Sequence, residues 1–119
     1  MVLADTSVWV AHLRAGDARL ARLLMDGSVA CHPFIIGELA CGSLANRATL
    51  LRLLGALPTC RIADHDEVMR TIEGRKLYSK GLGYVDVHLL ASALLTDVKL
   101  WTKDLHLQSA ARTFGVSHD

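Results

Sequence analysis

The sequence is short of the features that announce a function most directly. Its three cysteines, Cys31, Cys41 and Cys60, are odd in number and form no Cys-x-x-Cys pair. Neither a disulfide framework nor a zinc ribbon is indicated, and small, buried, reduced thiols fit a cytoplasmic protein. Six histidines occur without finger-like spacing. With only six Phe, Tyr and Trp residues, a base-stacking platform is not expected. The net charge of +1 carries no signature of nucleic-acid binding, so any such activity must rest on a local basic patch. No apolar run approaches the length of a membrane span. An acid at Asp5 and the lack of a basic segment before it exclude a recognisable signal peptide. No glycine-rich strand-to-helix fingerprint for a nucleotide cofactor is found. Repeats, low-complexity segments and Pro/Gly/Ser linkers are absent as well.

What remains is apolar. The chain has 119 residues, 51% of them hydrophobic, with a mean hydropathy of +0.30. This length suits one domain over residues 1–119, which buries roughly two-thirds of its unfolded surface. An excess of apolar residues over what a small core hides points to a subunit or partner interface.

Short apolar runs alternate with helical ones. "MVLA" ends at Asp5 and is followed by "TSVWVAHL". Asp17 caps "ARLARLLMDG", which Gly27 stops, and "SVAC" is a short strand. Pro33 opens a helix expected to reach about Leu44. "ATLLRLLGAL" ends before Pro58, "TCRIA" is a strand candidate, and Asp64 or Asp66 caps a helix through "GRKLYSKG". The helix "YVDVHLLASALL" leads to the strand "VKLWT", then to a helix stopped by Gly115 and to "GVSHD", an edge strand or tail. This alternation argues for an α/β fold with a parallel sheet covered on both faces.

Four acids stand out by position. Asp5 and Asp104 follow strands, where open α/β sheets bind ligands, and Asp86 opens a helix. Each is explained on its own as a helix cap. Glu38 is not, because it lies mid-helix beside Gly37 and Gly42. Two carboxylates about 5 Å apart at an effective dielectric near 20 repel by roughly 3 kcal/mol, so a converged cluster implies a shared proton or a hard cation. Mg²⁺ and Mn²⁺ take oxygen ligands, and such ions serve phosphodiester hydrolysis.

The ordered motifs "ADTSVW", "GELACG", "YVDVHLLASAL" and "LWTKD" resemble those of the PIN-domain ribonucleases, and most closely the VapC toxins of bacterial toxin–antitoxin pairs. The resemblance spans essentially the whole chain. It implies a three-layer α/β/α fold around a central parallel sheet of four or five short strands. It also implies an acidic quartet at Asp5, Glu38, Asp86 and Asp104 that holds Mg²⁺ or Mn²⁺, with Thr6, Ser7 and Thr102 as supporting hydroxyls. The family pattern implies cleavage of structured RNA, often tRNA, a homodimer, and an antitoxin that covers the site. The chain departs from many relatives at Leu107, where they carry an aromatic.

Arg70, Arg75, Lys76 and Lys80 cluster before Asp86, and Lys103 adjoins Asp104. Arg75, Lys76, Lys80 and Lys103 are candidates for gripping RNA phosphates beside an acidic pocket. Placement at a helix C-terminus explains the cluster equally well. His88 is expected at a surface or interface, and Trp9 and Trp101 in a core or interface. Two rivals to a ribonuclease stand: a catalytically silent PIN-like interaction module, and a DNA-directed nuclease on the same fold.

Overall fold

The computed structural model describes residues 1–119. Three parallel strands, β1 (Val2–Ala4), β2 (Val29–Ala30) and β3 (Lys99–Trp101), form a sheet in the order β2-β1-β3. Seven helices surround it: α1 (Thr6–Ala15), α2 (Ala18–Met25), α3 (Pro33–Ala40), α4 (Arg47–Gly55), α5 (His65–Gly74), α6 (Tyr84–Thr96) and α7 (Leu105–Thr113). Successive strand residues point to opposite faces, yet Val2, Leu3 and Ala4 are all buried, so both faces of β1 are covered.

The sheet is smaller than the four or five strands expected. "TCRIA" reduces to one parallel bridge, Thr59 to Cys31, and "GVSHD" to another, Ser117 to Leu100. Each bridge is closed by a pair of backbone bonds. Cys31 donates to Pro58 and accepts from Cys60, while Leu100 donates to Val116 and accepts from His118. The chain after β2 turns into α3 at Pro33, two residues beyond Cys31, so "RIA" has no strand left to pair with. Other boundaries are shorter too. α3 ends at Ala40, well before Leu44, and α5 ends at Gly74, leaving "RKLYSKG" outside the helix. Gly27 and Gly115, both at positive φ, end α2 and α7 as expected.

The core joins Leu3, Val8, Leu20, Ile35, Leu89, Leu90 and Leu100 into one cluster, with α6 at its centre. Trp9 and Trp101 are buried in it. Leu107 is buried in the core as well. Cys31 and Cys60 are buried as expected, and burial pushes the Cys60 thiol up to about 11, while Cys41 is exposed.

His88, expected near the surface, is buried in the core. Its ring meets Phe34, Tyr84 and His32 edge-on, at centroid distances of 4.6, 4.7 and 6.4 Å. The neighbouring His32 is fully buried and caps α3, its Nδ1 accepting from the Phe34 N–H at 3.0 Å. Its Nε2 therefore carries the proton and donates to Ser92 Oγ at 3.1 Å. Burial, with His88 alongside, holds the His32 pKa down at about 4, below the ordinary 6.5.

A depressed histidine binds fewer protons folded than unfolded between these values. Its stabilising share is complete above pH 6.5 and is lost as pH falls toward 4. Urea midpoints measured from pH 7 to 4.5 are expected to fall with acidification. His32→Asn, which keeps a capping oxygen, is expected to flatten that slope; an unchanged slope would count against this role.

Candidate active site

Parallel register places the site. Ala4 pairs with Trp101, and the Asp5 N–H continues the ladder to Trp101 O at 3.0 Å. The next residues, Asp5 and Thr102, therefore emerge side by side beyond the carboxyl ends of β1 and β3, where α/β sheets bind ligands. Asp5 caps α1 yet is only 6% exposed. Its Oδ1 accepts from Ser7 Oγ at 2.5 Å and from Val8 N at 3.2 Å. Its Oδ2 accepts from Thr102 Oγ1. Every donor is neutral. The structure holds a single ion pair, Arg112–Asp119, far along the sequence from this carboxylate.

The two hydroxyls that hold Asp5 also position Asp104. Thr102 Oγ1 accepts from the Asp104 N–H at 3.0 Å, and Ser7 Oγ accepts from the Lys103 N–H at 3.0 Å. Asp104 then caps α7, its Oδ1 accepting from Leu107 N at 2.9 Å. Glu38, exposed on α3, forms a separate pair, its Oε1 accepting from Thr6 Oγ1 at 2.6 Å. Asp5, Ser7, Thr102 and Asp104 thus form one hydrogen-bonded set, and Glu38 is tied only to Thr6, the residue that follows Asp5 in the chain.

Asp86 stands apart. It is not the N-cap of α6 but its third residue, and Gly83 is the cap. Its Oδ2 reaches back to accept from the Gly83 N–H at 2.9 Å, half of a capping box whose other half a glycine cannot supply. No hydrogen bond ties Asp86 to the other three acids.

The four carboxylates share one property. Glu38 Oε2, Asp86 Oδ1 and Asp104 Oδ2 accept no bond from the protein, and Asp5 Oδ2 accepts only one. A carboxylate offers about four lone-pair sites, so each acid keeps capacity for a cation or water. The donors are all oxygen, which fits Mg²⁺ or Mn²⁺. No three acidic, histidine or cysteine side chains stand close enough to chelate one bare ion. Mg²⁺ characteristically keeps several of its waters and meets a protein through one or two carboxylates.

The candidate phosphate-gripping residues divide. Lys103 lies between Thr102 and Asp104, directly in the network's backbone. Arg75 ends α5, with its guanidinium 4.6 Å from the Phe114 ring centroid. Lys76 and Lys80 occupy the segment that leads to α6, where Lys76, Ser79 and Gly81 all have positive φ. Lys76 closes a Schellman turn, with Leu77 N donating to Ile72 O at 2.9 Å. Glycine is the usual residue there. Reading the sequence missed His32 as a helix cap, although the residue before a helix-opening proline is the capping position by definition.

Comparisons with known proteins give the family. The PIN domain model matches residues 2–113. The chain belongs to the PIN-domain family. It is 48% identical over 118 residues to ribonuclease VapC32 of Mycobacterium tuberculosis, in strains CDC 1551 and H37Rv alike, covering 98% of this chain and 95% of the relative. The resemblance to VapC-type toxins drawn from the four motifs is borne out.

Two substitutions check the local physics. Thr102→Val leaves a buried Asp5 oxygen without a donor and is expected to cost about 1–3 kcal/mol in urea unfolding, with Thr102→Ser restoring most of it. Lys76→Gly relieves a left-handed lysine and is expected to raise stability by up to about 1 kcal/mol, because the released strain outweighs glycine's added unfolded-state entropy. A loss of stability in Lys76→Gly would show that its side chain is held by packing.

Proposed function

We propose that this protein is a divalent-cation-dependent endoribonuclease and the toxin of a toxin–antitoxin pair. The observation that carries this reading is Asp5: a buried carboxylate oriented entirely by neutral donors, two of which, Ser7 and Thr102, also accept from the backbone of Lys103 and Asp104. The kinship with curated ribonucleases supports RNA as the substrate. Asp5, Glu38, Asp86 and Asp104 would hold Mg²⁺ or Mn²⁺. When bound, the ion supplies acidification of water and neutralisation of phosphate charge.

The chain's own residues do the rest. Thr102 and Ser7 would fix the Asp5 carboxylate and leave it lone pairs for the ion, and Thr6 would hold Glu38 by one oxygen, leaving the other free. Lys103 delivers a positive charge beside the acids, where an RNA phosphate must approach against their repulsion. Arg75, Lys76 and Lys80 extend that positive rim. Structured RNA such as tRNA is the substrate class, and the cytoplasm is the place of action.

Two further parts of the reading follow from the apolar surface. A groove of about 500 Å³ starts at Thr6 and Glu38 and runs past Val10 and Leu13 of α1 to Leu44 and Leu50 near α4. An antitoxin segment lying in it would cover Glu38 and block the site. Exposed Tyr78, Tyr84 and Leu105 supply apolar surface for a homodimer.

Purified protein is expected to cut RNA with Mg²⁺ or Mn²⁺ and not with EDTA. Asp5→Asn is expected to lose more than about a hundredfold in rate, and Thr102→Val to fall within the roughly 10–100-fold range of groups that orient a ligand. Cleavage that survives EDTA, or an Asp5→Asn variant with wild-type rate, would contradict the proposal.

A further inference from the structure

A second feature lies along α7, the helix that Asp104 caps. The segment after α5 folds against α7 and forms with it a cavity of about 240 Å³. Leu77 and Phe114 line its apolar side, and Lys80, His106, Ser109 and Thr113 its polar side. His106 follows Asp104 by two residues, so the cavity begins within the first turn of that helix.

Its construction depends on a glycine. Gly81 has φ of +74°, and a Cβ there would stand 2.9 Å from the His106 ring. The imidazole can therefore pack directly on the backbone of the Lys80–Gly81 turn, which brings ring and ammonium to one opening. The hydroxyls differ in what they can offer. Thr113 Oγ1 is spent as a donor to Ser109 O at 3.0 Å, whereas Ser109 Oγ makes no bond within the protein. Arg75 stacks over the Phe114 ring without lining the cavity itself. No carboxylate lines the cavity, and neither Arg75 nor Lys80 is in an ion pair.

We infer that this cavity is a phosphate subsite, which takes a backbone phosphate of the bound RNA neighbouring the one to be cut. The inference rests on the ribonuclease reading above. A lysine ammonium, an imidazole and a free hydroxyl line the cavity without any acid, which is a donor set for phosphate recognition. The volume falls below the roughly 300–1,000 Å³ of pockets for drug-sized ligands and suits a phosphate with part of its ribose. Ser109 lies five residues beyond Asp104, or about 7.5 Å along α7 at 1.5 Å per residue, too far to grip the same phosphate as the acids. The subsite positions RNA; it is not catalytic.

Binding of fluorescein-labelled tRNA in EDTA, followed by anisotropy across a salt series, tests this without cleavage. The double variant Lys80→Gln with Ser109→Ala is expected to bind several-fold more weakly, with a salt slope smaller by about one. Arg61→Gln, the same charge change at an exposed residue outside the cavity, is expected to leave affinity nearly unaltered. In parallel, inorganic phosphate titrated into ¹⁵N-labelled wild-type protein is expected to shift the Gly81 and Ser109 amides saturably, and not in the double variant. Equal weakening by Arg61→Gln, or wild-type affinity in the double variant, overturns the subsite and leaves the ribonuclease reading intact. A wild-type protein that binds no tRNA overturns both.

Discussion

Much of this molecule is arranged around one buried carboxylate. Asp5 leaves the end of the central strand, and burial would be costly for an isolated charge. Its cost is met by four arrangements at once: the Val8 N–H of the helix it caps, the Ser7 hydroxyl, the Thr102 hydroxyl, and the favourable field of a helix N-terminus. None of these donors carries a full positive charge. A basic partner would stabilise Asp5 more strongly but would also occupy the place of a cation. Neutral donors orient the carboxylate and leave its remaining lone pairs available.

The same donors explain why the neighbouring acids lie where they do. Thr102 and Ser7 each donate to Asp5 and accept from the backbone around Asp104, so the carboxyl ends of β1 and β3 are locked into one geometry. Thr6 adds α3 to this arrangement through Glu38. Hydroxyls suit the task because one oxygen can donate to a carboxylate and accept from an amide at the same time. The sheet needs only three short strands for this. Its edges are single bridges, while the pair that positions the acids, β1 with β3, has full register.

Much of this was legible in the sequence, for identifiable reasons. Strands that end in an acid and lead into helices gave the α/β architecture and the positions of Asp5 and Asp104, since both roles are set by local chemistry. Glu38 was conspicuous because no local role accounts for it. Edge pairing was overestimated because "TCRIA" and "GVSHD" have strand composition, yet strand length depends on partners that sequence patterns do not reveal. Asp86 was read as a cap, and the structure moves that role to Gly83, three residues earlier. His88 was misplaced because an imidazole looks polar in sequence, while here it packs among Phe34, Tyr84 and His32 as a core ring. The cavity at Lys80 and His106 had no sequence signal, since it joins two segments only through the close approach that Gly81 permits.

Asp86 makes no hydrogen bond to the Asp5 network, and neither does Glu38, whose one donor is Thr6. If all four acids serve one ion, Asp86 must contribute to binding across that gap. Thermal unfolding with increasing Mn²⁺, in wild type and Asp86→Asn, measures this directly, since a ligand that binds only the folded state raises its stability with concentration. The account predicts a rise in Tm for the wild type that is strongly reduced in Asp86→Asn. A wild type indifferent to Mn²⁺, or a variant with an undiminished response, would contradict a shared four-acid site.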